Sequence, residues 1–264
     1  MSTEKCLALR LTGPLQSWGC STTFTHYRTH PFPTKSAVCG LCCAAAGIRR
    51  GSDLEADFIR GFNLLHMKAV AVMEAMEEAH ENVETGDFFS AATASGIGSQ
   101  GFAAGRKIED FHTVSGTMQA NGSANCRKID TFYTVSATLK ADKKNFRDEA
   151  VITRREYLVD ARFFVFLTGS QEKIERLAEA LKDPALGIFL GRKSCIPAEP
   201  VFAGVFDSLQ QAEEASLQGF VTLMSEEDEA EYGRANVSVS DVAVSFLSER
   251  RAYSPRRVKR IYAG

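Results

Sequence analysis

The chain has 264 residues, 44% of them hydrophobic, which is enough for one elaborated domain or two small ones around a buried core. No stretch of eighteen apolar residues occurs and no apolar segment follows the charged first residues, so we expect a folded cytoplasmic protein that does not cross a membrane. Its seven cysteines are odd in number and scattered, which argues against a secreted disulfide framework and indicates reduced thiols.

The charges are separated along the chain, although their sum is only −2. Residues 194–233 hold nine acidic residues and neither Lys nor Arg. Six cations crowd the last fifteen positions: Arg250, Arg251, Arg256, Arg257, Lys259 and Arg260. This separation allows a basic face that would bind nucleic acid, and a solvated charged strand with nothing bound accounts for it equally well.

The first half of the chain begins with strand and helix patterns. Cys6 to Leu11 is a short apolar run that ends at Gly13-Pro14, as a buried strand followed by a turn does. A helix is predicted to begin around Pro33 to Ser36, after which apolar residues recur at helical spacing until Gly47. Phe62 to Val72 is predicted as a second strand, with a helix as the alternative.

The same order of elements returns later in the chain. Tyr157 to Leu167 is rich in aromatic and β-branched residues, which favours a strand, and Gly169-Ser170 then leads into a helical pattern from Ile174 to Leu181. Two strand-helix units separated by an irregular middle predict an α+β fold of ferredoxin-like type, the layout of the RNA-recognition fold.

The middle of the chain, residues 84–145, is rich in Gly, Ala, Ser and Thr and predicts a projecting insertion with an internal duplication. The thirteen residues from Arg106 to Met118 recur as Arg127 to Leu139, with eight identities at an offset of 21. Each copy alternates as a strand does, and Asn121-Gly122 between the copies favours a hairpin turn, so we expect a two-stranded arm.

Each copy combines two cations with an aromatic residue and hydroxyls, which suits the binding of phosphates and the stacking of a base. An ordinary ribbon with cross-strand pairs is the alternative. A second alternative is a metal-independent endoribonuclease that uses His112, Tyr133 and a Lys, because such side chains can act as general acid and base.

Three other segments have features of an RNA contact. The turn from Gln16 to Trp18 holds the only Trp, in a polar, glycine-flanked setting after the first strand. From Thr34 to Ser36, the free N–H groups and the dipole of a helix start favour a phosphate, although a hydroxyl cap and a solvated Lys need no ligand. Arg192-Lys193 forms a cationic turn that can contact phosphates.

Three motifs that resemble cofactor or metal sites are incomplete. Gly96 to Gly101 has dinucleotide-binding spacing but lacks the strand before it and the helix after it. Gly187 lies one residue too close to Gly191-Arg192-Lys193-Ser194 for an ATP-binding loop. Cys39 and Cys42 have zinc-like spacing but no second pair of ligands. We therefore expect no cofactor and no metal.

Five segments occur in the order that one protein family shows. They are Gly13 to Gly19, Phe32 to Ser36, Asp110 to Val114, Arg155 to Ala161 and Leu190 to Cys195. With these motifs the chain resembles the CasD family, the fifth Cas-protein family of type I-E CRISPR systems, in the RAMP superfamily. The ending from Arg250 to Val258 is also similar, so the resemblance spans nearly the whole chain.

The resemblance implies a modified RNA-recognition fold with a projecting β-hairpin thumb and a small C-terminal β region. It implies one copy per Cascade complex, in contact with the backbone subunit and the large subunit, where the chain caps the 5′ handle of the CRISPR RNA and meets target DNA only through the complex. It implies no catalysis, although relatives in type I-C systems cleave the repeat RNA themselves. A pure scaffold held by proteins is a third hypothesis.

The expected division is a palm of residues 1–83 and 146–207, a thumb of residues 84–145, and a C-terminal β region of residues 208–264 with a basic tail. The duplication departs from the family, which has one such segment, and we expect the extra copy to lengthen the thumb. The residues expected to contact RNA are Gln16, Ser17, Trp18, Arg28, Thr34, Lys35, Ser36, Arg106, Lys107, His112, Arg127, Lys128, Tyr133, Arg154, Arg155, Arg192, Lys193, Ser194, Arg256 and Arg257.

Overall fold

The structure, a computed structural model, describes residues 4–23, 26–75, 106–114, 126–129, 132–135, 151–231, 233–247 and 251–262. These residues form a seven-stranded sheet, a five-stranded sheet, a separate two-stranded hairpin and four helices. In chain order the elements are β1 (Glu4–Thr12), β2 (Leu15–Gln16), β3 (Trp18–Thr23), β4 (His26–His30), α1 (Lys35–Ala45), α2 (Asp53–Asn63), β5 (His66–Glu74), β6 (Arg106–Val114), β7 (Cys126–Ile129), β8 (Phe132–Val135), β9 (Val151–Val159), β10 (Arg162–Ser170), α3 (Gln171–Lys182), β11 (Phe202–Phe206), α4 (Leu209–Ser216), β12 (Phe220–Asp228), β13 (Val237–Ser245) and β14 (Ala252–Tyr262).

The seven-stranded sheet has the order β11-β1-β10-β5-β12-β14-β13, and all its pairings are antiparallel. Because side chains alternate along a strand, each strand contributes to both faces. Leu7 and Leu9 belong to the larger core, with α1, α2 and α3, whereas Ala8, Phe164 and Phe166 belong to a smaller core under α4. The α+β class predicted from the sequence is confirmed.

Two of the four described helices, α1 and α2, show where the sequence pattern predicted the secondary structure correctly and where it did not. Helix α1 follows the prediction, because Val38, Leu41 and Cys42 are buried on one side and Gly47, at a φ of 71°, ends the helix region. The strand predicted over Phe62 to Val72 is right only from His66 onward. Phe62 instead lies on the buried face of amphipathic helix α2.

The five-stranded sheet is organised around β9. Strand β6 pairs with β9 over nine residues, from Arg106 opposite Val159 to Val114 opposite Val151. On its other side β9 pairs with β2 and, in parallel, with β4, which pairs in turn with β3. Strand β9 therefore connects the turn after β1 with the first copy of the duplicated segment.

The two copies of the duplication have different structures. The first copy is the single strand β6 on β9, whereas the second folds back on itself as the β7–β8 hairpin, with Ile129 opposite Phe132. The expected pairing of the copies with each other is therefore wrong for the described strands, and Asn121-Gly122 lies outside the described residues. The edge of the first copy that faces β9 is hydrogen-bonded over nine residues, so this edge is not available to the second copy.

The C-terminal strands continue the main sheet, because β12 pairs with β5 as well as with β14. Within the described residues, the segments expected to form the palm and the C-terminal β region thus contribute strands to one sheet. The boundary between them at residue 208 stays a prediction. Across the described part of the chain, no helix is both long enough and apolar enough to span a membrane.

Candidate RNA-binding surface

The structure brings together two segments that lie far apart in the sequence, the turn at Ser17 and the turn at Arg192. The backbone N–H of Ser17 donates a hydrogen bond to the carbonyl oxygen of Leu190 at 3.1 Å. Gly191 has a φ of 97°, and a Cβ atom there would lie 1.8 Å from the carbonyl oxygen of Ser17. Only glycine permits this approach, which places Arg192 beside the first turn.

Arg192 lies between aromatic rings, and a hydrogen bond to Ser17 fixes its guanidinium. Its Nε donates a hydrogen bond to Ser17 Oγ at 3.0 Å, and that hydroxyl donates to the carbonyl oxygen of Glu156 at 3.1 Å. The guanidinium carbon lies 5.3 Å from the ring centre of Tyr27 and 5.6 Å from that of Tyr157. Arg155 lies over the same Tyr27 ring at 5.6 Å. We call Ser17, Tyr27, Arg155, Tyr157 and Arg192 the arginine cluster.

The arginine cluster keeps its positive charge and adjoins an exposed polar turn. Burial lowers the pKa of Arg192 from its ordinary value, but a guanidinium remains protonated at neutral pH. Lys193 and Ser194 are exposed in the turn of Arg192 itself. Arg28 and Arg154 are exposed on the neighbouring strands β4 and β9, on the face of the sheet opposite Tyr27 and Arg155, because side chains alternate along a strand. This surface can therefore bind an anionic chain and stack a planar group.

Two predicted contacts of the first turn are internal. Trp18 is fully buried, and its Nε1 donates a hydrogen bond to Gln16 Oε1 at 3.1 Å. Gln16 Nε2 in turn donates to the carbonyl oxygens of Leu11 and Ala161 at 2.9 and 2.6 Å. These side chains fix the turn from inside the structure, and their predicted contacts with RNA stay predictions.

The predicted helix-start site is occupied by a carboxylate of the chain itself. The backbone N–H of Lys35 donates a hydrogen bond to Asp241 Oδ2 at 2.7 Å, which satisfies the start of α1. Lys35 Nζ donates to the carbonyl oxygen of Leu65 at 2.6 Å and to Asp228 Oδ2 at 2.7 Å. Thr34 and Ser36 are buried beside it. The structure therefore gives these residues internal hydrogen bonds or burial, and the predicted phosphate contact stays a prediction.

Arg256 is internal as well. Its guanidinium donates hydrogen bonds to Asp241 at 2.7 and 3.0 Å, to Asp228 Oδ1 at 2.6 Å and to Glu226 Oε1 at 2.8 Å. Burial by itself would lower the pKa of Arg256, but the three carboxylates raise it above its ordinary value. Arg260 binds the other oxygen of Glu226 at 2.8 and 2.6 Å.

Three cations and three carboxylates thus form one balanced set, which we call the buried ion network: Lys35, Arg256, Arg260, Glu226, Asp228 and Asp241. The acidic and basic segments that are separated in the sequence pair with each other across β12 and β14. Of the two tail residues predicted to bind RNA, only Arg257 is exposed, and it donates a hydrogen bond to the carbonyl oxygen of Ala230 at 3.1 Å.

The remaining predicted contacts lie on β6, β7 and β8. Arg106, Lys107 and His112 are in β6, where His112 is opposite Thr153 of β9. In the hairpin, Lys128 of β7 is opposite Tyr133 of β8, next to Arg127 opposite Thr134. Their contacts with RNA stay predictions. Among the described residues, no group of three His, Cys, Asp or Glu side chains is placed to hold a metal ion.

Sequence reasoning missed the aromatic residues of the cluster and the carboxylates of the network. Tyr157 stands inside the Arg155 to Ala161 motif, so the motif itself carried a signal for it. The acidic run at Glu226 to Asp228 has the opposite sign to the tail, which could have indicated their pairing. Tyr27 had no comparable signal.

Comparison with known proteins agrees with the motifs. The family described as CRISPR-associated protein (Cas_Cas5) matches residues 6–259 of the chain. The chain belongs to this family. It is 27% identical over 202 residues to the CRISPR system Cascade subunit CasD of Escherichia coli (strain K12), which covers 75% of this chain and 70% of the relative. The family resemblance predicted from the five motifs is thereby confirmed.

Two solved structures share the fold. One, from a CRISPR RNA-guided surveillance complex, has a TM-score of 0.64 at 23% identity and covers 98% of this chain and 90% of its own. Another, described as the crystal structure of a Cas protein, has a TM-score of 0.55 at 25% identity and covers 97% of this chain and 94% of its own. The overlap extends over nearly the whole chain in both cases.

Replacing Arg256 with Met is expected to lower the free energy of unfolding by about 3–5 kcal/mol, because three buried carboxylates lose a shared partner. Lys259→Met, an exposed site on the same strand, is the matched control and is expected to change stability by about 0.5 kcal/mol or less. Denaturant unfolding measures both. Equal effects of the two substitutions would show that the network does not stabilise the chain.

The network also predicts acid sensitivity. Burial by itself would raise the pKa of Asp228, but Lys35 and Arg256 hold that pKa below its ordinary value. The stability that Asp228 contributes is therefore present above about pH 5 and is lost as the pH falls through about 4 toward the lower pKa of the folded state. We expect Asp228→Asn to be less stable at pH 7 and to lose less stability between pH 6 and pH 3. Parallel curves for the two proteins would contradict this assignment.

Replacing Gly191 with Ala tests the approach of the two turns. Both Gly191 and Gly219 have positive φ angles, 97° and 83°, but a Cβ at Gly219 meets nothing within 4 Å. Gly219→Ala is therefore expected to cost about 1 kcal/mol from backbone strain alone. Gly191→Ala is expected to cost at least about 2 kcal/mol more, because Ser17 must move. Denaturant unfolding gives the difference, and equal costs would mean that the turns separate freely.

Proposed function

We propose that the chain is an RNA-binding subunit of a type I-E Cascade surveillance complex and that it holds and caps the 5′ handle of the CRISPR RNA without cutting it. The Cascade subunit name of the Escherichia coli relative and the surveillance complex that shares the fold support the proposal. The observation that carries it is the arginine cluster, where two guanidiniums lie on aromatic rings beside the exposed turn of Lys193 and Ser194.

The chemistry of the cluster fits a single-stranded RNA end. Phosphates are bound by cations whose positions are fixed, and Arg192 is fixed by Ser17 and by two rings. A base can stack on a guanidinium plane or an aromatic face that is already ordered, at little further entropic cost. We assign the contacts to Arg28, Arg154, Arg155, Arg192, Lys193 and Ser194, together with the arm residues on β6, β7 and β8.

The strand order supports a ferredoxin-like palm. Strands β1, β5, β10 and β11, with the helices between them, follow the chain order of a βαββαβ unit, and they stand in the sheet as β11-β1-β10-β5. We propose that residues 1–83 and 146–207 are this palm, that residues 84–145 are the thumb, and that residues 208–264 are the C-terminal β region. The thumb inserts between the second and third strands of the unit.

The proposed partners are the CRISPR RNA, the Cascade backbone subunit and the large subunit, with target DNA reached through the complex. We propose a cytoplasmic location, which is supported by five cysteines of the described residues that are free thiols in the interior. The pure scaffold hypothesis differs in one measurable respect, since it predicts RNA affinity with little dependence on salt.

RNA affinity across a salt series tests the binding surface. The double variant Arg28→Gln/Lys193→Gln, assembled with its partner subunits, is expected to bind the handle about tenfold more weakly at moderate salt and to reduce the log–log salt slope by about 1.4, roughly 0.7 for each lost phosphate contact. Arg176→Gln/Lys173→Gln on α3 removes the same charge elsewhere and is the control. Equal effects of the two double variants would refute the assigned surface.

Incubation with labelled repeat RNA in EDTA tests the absence of cleavage. We expect the RNA to be retained uncut, because His112 and Tyr133, the pair that cleavage would use, lie on separately paired strands, β6 on β9 and β8 on β7. Metal-independent cutting that disappears in His112→Ala would instead establish the endoribonuclease hypothesis. The variant Tyr133→Phe then tests whether the second copy of the duplication takes part.

A further inference from the structure

The duplicated segment provides two candidate strands for one position in the sheet. The first copy, Arg106–Val114, pairs with β9 over its whole length, while the second forms the short hairpin of β7 and β8. Over the nine residues that pair with β9, the second copy, residues 127–135, is identical at six positions. The differences are Glu109 to Asp130, Asp110 to Thr131 and His112 to Tyr133.

The two copies can replace each other without loss of backbone hydrogen bonds. If residues 127–135 pair with β9 in the same register, Tyr133 takes the position opposite Thr153 that His112 occupies now. The first copy then has the residues to form a hairpin of its own, because it carries the same Arg-Lys-Ile and Phe-x-Thr-Val sequences that form β7 and β8. Either arrangement would contain one long ladder and one short hairpin, so side chains and connections would decide between them.

The two deciding effects are comparable and opposed. The connection to β9 has 36 residues, 115–150, from the first copy and 15 residues, 136–150, from the second. The connection from β5 acts in the opposite direction, with 31 residues, 75–105, before the first copy and 52 residues, 75–126, before the second. Over both connections, loop closure favours the second copy by a factor of about two. The first copy has Asp110 at the register position opposite Arg155. Opposite charges at directly opposed positions stabilise strand pairing by a factor of about 1.4 to 5, which favours the first copy. Neither arrangement dominates.

We propose that the two copies exchange as the partner strand of β9. The exchange sets the charge beside the arginine cluster, because the first copy has a carboxylate at the position opposite Arg155 and the second has the hydroxyl residue Thr131 at the corresponding position. With the second copy in place, the strand next to Arg155 carries one negative charge fewer at that position. This device is independent of whether the cluster binds RNA.

Disulfide trapping in the full chain reports the strand that occupies β9. Residues opposite each other on antiparallel strands have Cα separations of about 4.5–5.5 Å, within the range of a disulfide. In a Cys126→Ser background, Thr153→Cys with His112→Cys traps the first arrangement and Thr153→Cys with Tyr133→Cys traps the second. Thr153→Cys with Lys128→Cys matches neither register and is the control. Peptide mapping of oxidised monomers identifies each link, and thermal unfolding of the reduced variants verifies folding.

We expect both matched pairs to link well above the control, and a chain with all three cysteines to yield the two links within about tenfold of each other. Exchanging the charges with Asp110→Thr and Thr131→Asp is expected to shift that ratio toward the second copy several-fold. A second pair that links no more than the control, or only between two chains, in a folded protein whose first pair links fully would overturn the proposal.

Discussion

Charge pairing in the buried ion network is the constraint on which the main sheet depends. A buried carboxylate without a partner costs several kcal/mol, so Glu226, Asp228 and Asp241 require Arg256, Arg260 and Lys35 in place. The six residues come from α1, β12, β13 and β14, and the carbonyl of Leu65 adds the approach to β5. The network therefore joins the C-terminal strands to the helix layer, and the strands extend the sheet instead of forming a separate layer.

The same pairing explains why the candidate surface lies on the other sheet. Once Arg256 and Arg260 are committed to carboxylates, the described part of the basic tail contributes Arg251, Arg257 and Lys259 as exposed cations. The arginine cluster arises where β9 meets the two turns at Ser17 and Gly191, and the close backbone approach at Gly191 sets the position of Arg192. Arginine side chains thus occur in two environments. In the arginine cluster they are accessible to solvent, whereas in the buried ion network they are paired with carboxylates in the interior.

The duplication shows how one sequence can form two structures in a single chain. Both copies alternate as strands do, but only one of them has the edge of β9 as its partner. Strand formation depends on a partner edge, whereas helix formation satisfies its hydrogen bonds internally. An added copy is therefore compatible with the fold, since it can form a local hairpin without displacing any strand of the seven-stranded or five-stranded sheet.

The sequence by itself determined the family, the α+β class and the elements with strong local periodicity, including β1, α1 and α3. Their patterns need only ten or so neighbouring residues, and tertiary structure did not change them. Tertiary structure alone decided that Trp18 is buried, that Arg192 contacts Ser17, and that Lys35 is an internal ion. Lys35 lies 193 residues from Asp228 and 206 from Asp241 along the chain. The sequence does not distinguish a Lys or Arg that binds a phosphate from one that binds a distant carboxylate of the same chain. Only the folded chain brings that carboxylate within hydrogen-bonding distance.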